Sequence, residues 1–271
     1  RCMVSLSDGG RDAVTWREYD LNARRFVPDG FVVPEAKTNL VWLDRDTLLV
    51  TSDFGAGTLT NAGYPREVRR WVRGTVLGDT PTLDSVAEDD MSITPLVERD
   101  SVGDWPMVLK GRSFWTSELM HLGPDGTLTP SPLPPHAVLQ CTIAGFAVAK
   151  LQEDGVHGPA GSLVAYSIPD LIAGRPVQLE PVLAAPEYGA IDGVSSGCSR
   201  LFVGQLENVA GHIVSLERHG FADWRCERIS TPANSSRRTL RGAKASACPS
   251  RCWYCSSSSA RASRRVSRSS P

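Results

Sequence analysis

Short apolar and β-branched runs, each about four to eight residues long, recur along most of the chain, with Gly, Pro, Asn and Asp clustered between them. The pattern predicts strands at Met3–Ser7, Ala13–Tyr19, Leu40–Leu43, Thr47–Ser52 and Glu67–Val72. Further runs follow at Ser92–Glu98, Ser113–His121, Thr127–Leu133, Ala144–Leu151, Ser162–Ile168, Leu201–Gln205, His212–Glu217 and Trp224–Ile229. Val14–Tyr19 partly alternates apolar and polar residues, as a half-buried strand should. Turn chemistry separates the runs at Asp8-Gly9-Gly10, Pro28-Asp29-Gly30, Asp44-Arg45-Asp46, Arg73-Gly74 and His219-Gly220. Pro124-Asp125-Gly126 predicts a hairpin. One short helix is expected, with Ser167 capping residues 169–173 and Gly174 ending it. Strands do not alternate with long helices, which argues against a doubly wound α/β domain.

The runs gather into groups that begin near Cys2, Leu40, Ser92, Ala137 and Gly189, at steps of 38, 52, 45 and 52 residues. Four-stranded propeller blades repeat at about 40–50 residues. A single blade cannot bury its own faces, so blades must stack. The expected fold is all-β: an incomplete β-propeller of about five blades, ahead of a β-sandwich.

Composition adds a division. The 271 residues carry 29 Lys and Arg against 30 Asp and Glu, a net charge of −1. Residues 235–271 hold nine of the basic residues and no acidic one, so that segment is +9, and residues 1–234, with 20 basic against 30 acidic, are −10. Two domains are expected: a partial propeller over 1–234 and a basic, Ser-, Arg- and Cys-rich tail over 235–271. The low-complexity tail is expected to be disordered. A basic tail of this kind could bind RNA or acidic surfaces. The favoured reading is out-of-frame translation past Asn234, so no nucleic-acid partner is expected. No run of about 18 apolar residues occurs, and no membrane partner is expected. Seven Cys without regular spacing argue for reduced thiols and a cytoplasmic location.

Several stretches resemble the propeller domain of the prolyl oligopeptidase family of serine peptidases. They are Met3–Val14 with Trp16-Arg17-Glu18-Tyr19-Asp20, Val33–Lys37, Val41–Asp44 with Asp46–Val50, Asp53–Thr60, Gly63–Arg66 and Arg70–Thr75. Pro159–Leu163 and Asp170–Gly174 extend the likeness. It is strong over residues 2–80 and looser to about residue 232. The resemblance implies a seven-bladed propeller joined to an α/β-hydrolase domain with a Ser-Asp-His triad, the propeller restricting peptide access. On that basis this chain is expected to be truncated at both ends and to lack the hydrolase domain. It would be the non-catalytic, substrate-gating portion of a peptidase, its peptide substrate met through the missing catalytic domain. The alternative is a stand-alone propeller serving as a protein-interaction module.

Candidate chemistry is sparse. Gly193-Val194-Ser195-Ser196-Gly197 matches the nucleophile-elbow pattern, but another strand, not a helix, follows it, and no Asp-then-His pair comes after Ser195. A β-turn is the favoured reading. Trp42 and Trp71 are expected to be core anchors, the Asp53–Gly63 loop to be a matter of turn geometry, and Tyr64-Pro65-Arg66 to fix a strand entrance. Glu88-Asp89-Asp90 reads as a solvated loop. The five His are scattered, and Cys248, Cys252 and Cys255 supply three ligands where zinc needs four. No catalytic, cofactor-binding or metal-ligating residue is expected.

Overall fold

The computed structural model describes residues 1–218 and 224–229. The strands in chain order are β1 (Cys2–Leu6), β2 (Val14–Asp20), β3 (Arg25–Phe26), β4 (Val32–Ala36), β5 (Asn39–Asp44), β6 (Thr47–Thr51), β7 (Glu67–Val72) and β8 (Thr82–Ser85). Next come β9 (Ser92–Arg99), β10 (Asp104–Gly111), β11 (Ser117–Leu122), β12 (Leu128–Pro130), β13 (Val138–Ile143), β14 (Phe146–Lys150) and β15 (Leu163–Ser167). The helix α1 (Ile168–Ile172) precedes β16 (Glu180–Leu183), β17 (Gly189–Ser196), β18 (Arg200–Glu207), β19 (Ala210–Arg218) and β20 (Trp224–Ile229).

These strands form five antiparallel sheets, each built from consecutive strands. In the first, β3 and β4 both pair with β2. The other four are meanders of β5–β8, β9–β12, β13–β16 and β17–β20. They begin at Cys2, Asn39, Ser92, Val138 and Gly189, each within one residue of the expected group starts. This is the architecture of propeller blades. The Asn234 boundary and the tail, with its three cysteines, lie outside the described residues, as does His219-Gly220.

Turns follow local chemistry. Gly9, Gly10 and Gly126 adopt φ of +66°, +78° and +87°, which a side chain would resist. Asp125 Oδ1 accepts the Thr127 backbone N–H at 2.9 Å and so closes the β11–β12 hairpin. Ser167 Oγ accepts the Asp170 N–H at the start of α1, and Gly174 at φ +68° ends that turn.

The core lies between sheets. Along β6 every residue is buried, and its side chains alternate in direction. Leu48 and Val50 pack with Phe31 and Val33 of the first sheet, whereas Leu49 packs with Ile93, Val108 and Met120 of the third. The fourth sheet repeats this logic. Val148, Leu163 and Ala165 meet Ile191, Leu201, Val203 and Val214 of the fifth sheet. Ala147 and Tyr166 lie on the opposite side, beside Trp105.

Polar contacts also cross these interfaces, and two of them involve fully buried side chains. Glu18 on β2 is 1% exposed. Its carboxylate receives Arg73 Nη1 at 2.7 Å and Nη2 at 3.0 Å, Arg1 Nη1 at 3.0 Å and the Phe31 N–H at 3.0 Å. Burial alone would raise this carboxyl, but those donors outweigh it and hold the pKa below the ordinary value. Arg73 also donates to Asp46 at 2.6 Å and lies 4.4 Å from the Phe31 ring centroid, so it ties the second sheet to the first. Gly30 is needed here for space. A Cβ at that position would sit 2.9 Å from Val27 Cβ and 3.0 Å from Glu18 Oε2.

The second contact joins β11 to β15. His121 Nε2 lies 2.6 Å from Tyr166 Oη, with both residues fully buried. Burial lowers the imidazole pKa to about 4 and raises that of the phenol, whose hydroxyl also meets Ser131.

Replacing one member of a buried ion pair leaves the other uncompensated, so Arg73→Met is expected to cost about 3 kcal/mol in urea unfolding. A loss below about 0.5 kcal/mol would mean that the contact is a surface pair. The imidazole gives a pH dependence of defined sign. Unfolded His takes up a proton below about pH 6.5, and folded His121 only near 4, so stability is full above 6.5 and falls as pH drops between these values. Between pH 7 and pH 5 the expected loss from this group is about 2 kcal/mol. It should be absent from the His121→Phe/Tyr166→Phe double variant.

Candidate functional site

The first strands of the second to fifth sheets, β5, β9, β13 and β17, neighbour one another in that order. Glu98 on β9, Cys141 on β13 and Ser196 on β17 lie along this row. Burial pushes the Cys141 thiol up to about 12, the Glu98 charge adds to the effect, and the Ser196 hydroxyl opposes it. A thiol so held is neutral at pH 7 and is no nucleophile.

Between the third and fourth sheets lies a cleft of about 260 Å³. Its walls include Leu96, Leu109, Leu119, Leu133 and Leu139, and Glu98 also lines it. Desolvation raises the Glu98 carboxyl above its ordinary range, and neighbouring Arg99 offsets this only in part. Among the described residues the Glu98 side chain has no hydrogen-bond or ion-pair partner. The pattern along the chain gave no hint of this, because Glu98 stands where an exposed strand end would. A wider depression of about 400 Å³ crosses the fifth sheet beside Asp192, Gln205 and His212.

The residues singled out in the sequence are dispersed. Ser195 belongs to β17, is exposed and pairs with Phe202 across the β17–β18 hairpin. The Gly197 N–H donates to Arg200 O at 2.7 Å to close that turn. The G-x-S-x-G segment therefore joins strand to strand, and Ser195 does not ride above a helix. Glu88 accepts from Arg66 at 2.8 Å, Asp89 from Asn61 at 2.6 Å and Asp90 from Arg112 at 2.8 Å. These three carboxylates do not converge on a common site; each ties a different neighbour to the loop before β9. Of the histidines, His136 faces Glu153 at 3.4 Å, His212 faces Gln205 at 3.2 Å, His157 is exposed and His121 is buried against Tyr166. His219 lies outside the described residues. No three His, Cys, Asp or Glu side chains are grouped to hold a metal among the described residues.

The aromatic and glycine-rich segments are structural. Trp71 is 6% exposed, and its indole N–H donates to Thr75 O at 2.9 Å. Trp42 meets Phe31 edge-on at 5.6 Å. In the 53–63 loop, Asp53 Oδ1 accepts the Gly55 N–H at 2.9 Å, and the Asn61 N–H donates to Glu88 O at 2.8 Å. Arg66 donates to Val86 O at 3.1 Å, immediately before β7 begins.

No family model matches the chain. An uncharacterized peptidase of Sinorhizobium fredii is 30% identical over 247 residues, covering 87% of this chain and 34% of that protein. An uncharacterized peptidase of Rickettsia prowazekii is 23% identical over 235 residues, covering 80% of this chain and 32% of that protein. Among solved structures, a post-proline cleaving enzyme from Rickettsia typhi superposes with a TM-score of 0.76 at 21% identity, over 85% of this chain and 36% of that one. Oligopeptidase B from Leishmania major gives 0.59 at 13% identity, over 85% and 32%. The chain thus spans about a third of the length of the relatives it matches.

Proposed function

We propose that this chain, which is akin to the propeller portion of prolyl oligopeptidase-family peptidases, is the non-catalytic, substrate-gating part of a peptide hydrolase. The observation that carries this reading is the extent of the match. A peptidase relative aligns with 87% of this chain but only 34% of its own length, and the described residues of this chain form five four-stranded sheets. The intact parent would cleave peptide bonds by acyl transfer through a serine nucleophile held on a separate domain. The role left to the sheets is steric: a rigid stack admits a peptide through gaps between its elements and excludes larger folded chains. A cytoplasmic location belongs to the same proposal, and the free thiols of Cys2, Cys141 and Cys226 agree with a reducing compartment.

A serine-directed fluorophosphonate probe tests the non-catalytic assignment. The 271-residue chain should take up no label and should leave a fluorogenic post-proline peptide intact. Labelling that disappears in Ser195→Ala would make the hairpin serine a nucleophile and overturn the assignment.

A further inference from the structure

We propose that the cleft between the third and fourth sheets binds a basic side chain, Lys or Arg, of a peptide. The alkyl stem would lie along the leucine walls and the cationic head would meet Glu98. The peptide context rests on the peptidase reading above; the recognition of an organic cation on an apolar stem rests on the cleft itself.

Three features support this occupant. The space, about 260 Å³, is of the size of one long side chain, and five leucines, Leu96, Leu109, Leu119, Leu133 and Leu139, are among the residues that line it. Lys and Arg place three or four methylenes against such a surface and keep the charge at the tip. The cleft also holds a carboxylate with no ion-pair partner among the described residues. Arg99, the neighbouring cation that acts on this carboxylate, is committed elsewhere: it donates to Asp104 at 3.2 Å and to Trp42 O at 3.0 Å. Finally, a partly desolvated carboxylate gains most from a partner that arrives with its own charge, because an unpaired charge in an apolar setting is costly. A neutral apolar side chain would fill the space but leave that cost in place.

The test compares N-acetylated, C-amidated Ala-Lys-Ala with its norleucine counterpart by calorimetric titration of the whole chain. Norleucine keeps the stem and removes the charge. The lysine peptide should bind at least about tenfold more tightly. Glu98→Gln should bring the two peptides to equal affinity without changing norleucine binding or the melting temperature. Equal affinities in the unaltered chain, no saturable binding of either peptide, or a lysine preference that survives Glu98→Gln would each overturn the proposal. The comparison on the unaltered chain stands even if the variant fails to fold. No hydrolysis is read out, so a negative result here leaves the peptidase reading intact, and fluorophosphonate labelling would leave this one intact.

Discussion

Burial of each sheet against the next is the constraint on which the rest of the structure depends. Among the described residues no sheet closes on itself, and none has a helix layer over it. The middle strands β6, β14 and β15 are apolar on both faces, and they find cover only because sheets stand on either side. Each fully buried Leu or Val removed from water contributes about 2 kcal/mol at most. Those contributions come in two sets per strand, one for each neighbouring sheet. Losing one interface therefore uncovers half of each middle strand at once, which makes the stack cooperative across its length.

Polar groups within the interfaces act as registers. The Glu18 carboxylate takes four donors from three parts of the chain, and one of them, Arg73, also reaches the turn between β5 and β6. That geometry holds for one relative placement of the first two sheets. The His121–Tyr166 contact does the same for the third and fourth. Glu98 breaks this pattern, since it sits in an inter-sheet cleft with no side-chain partner among the described residues, and that difference is what the proposed ligand site rests on. The proposed role, restriction of access to a site carried elsewhere, asks for a frame of this kind. The thiol nearest its unpaired carboxylate, Cys141, is held neutral by burial, and its most prominent free chemistry among the described residues is a carboxylate in an apolar gap.

Much of the fold was legible along the chain because the repeat is local. Each sheet is a run of neighbours in sequence, so turn spacing alone located the five group starts. Strands with mixed composition were harder. β10 carries Pro106 and β16 carries Pro181, and proline argues against a strand unless it falls at an edge or an end, as Pro106 does near the start of its strand and Pro181 on an edge strand. β17 contains two glycines and three polar residues, and its pairing with β18 comes from the hairpin more than from its own propensity. Pro28-Asp29-Gly30 marked the turn between β3 and β4, but the two short strands themselves were hidden, because their place on β2 depends on partners such as Glu18, whose carboxylate takes the Phe31 N–H. The site was least legible. Glu18 and Glu98 are both acidic residues in strands, and only the cations that the fold does or does not bring to them distinguish their roles.

The central claim, that two-sided burial of middle strands holds the chain together, is tested most directly by native-state hydrogen–deuterium exchange resolved to single strands. The slowest amides should lie in β6, β14 and β15, exchanging through the same global opening, with the edge strands β8, β12 and β16 markedly faster. If the edge strands proved as protected as the middle ones, or if β6 exchanged independently of β14 and β15, stability would reside within separate sheets, and the account would be contradicted.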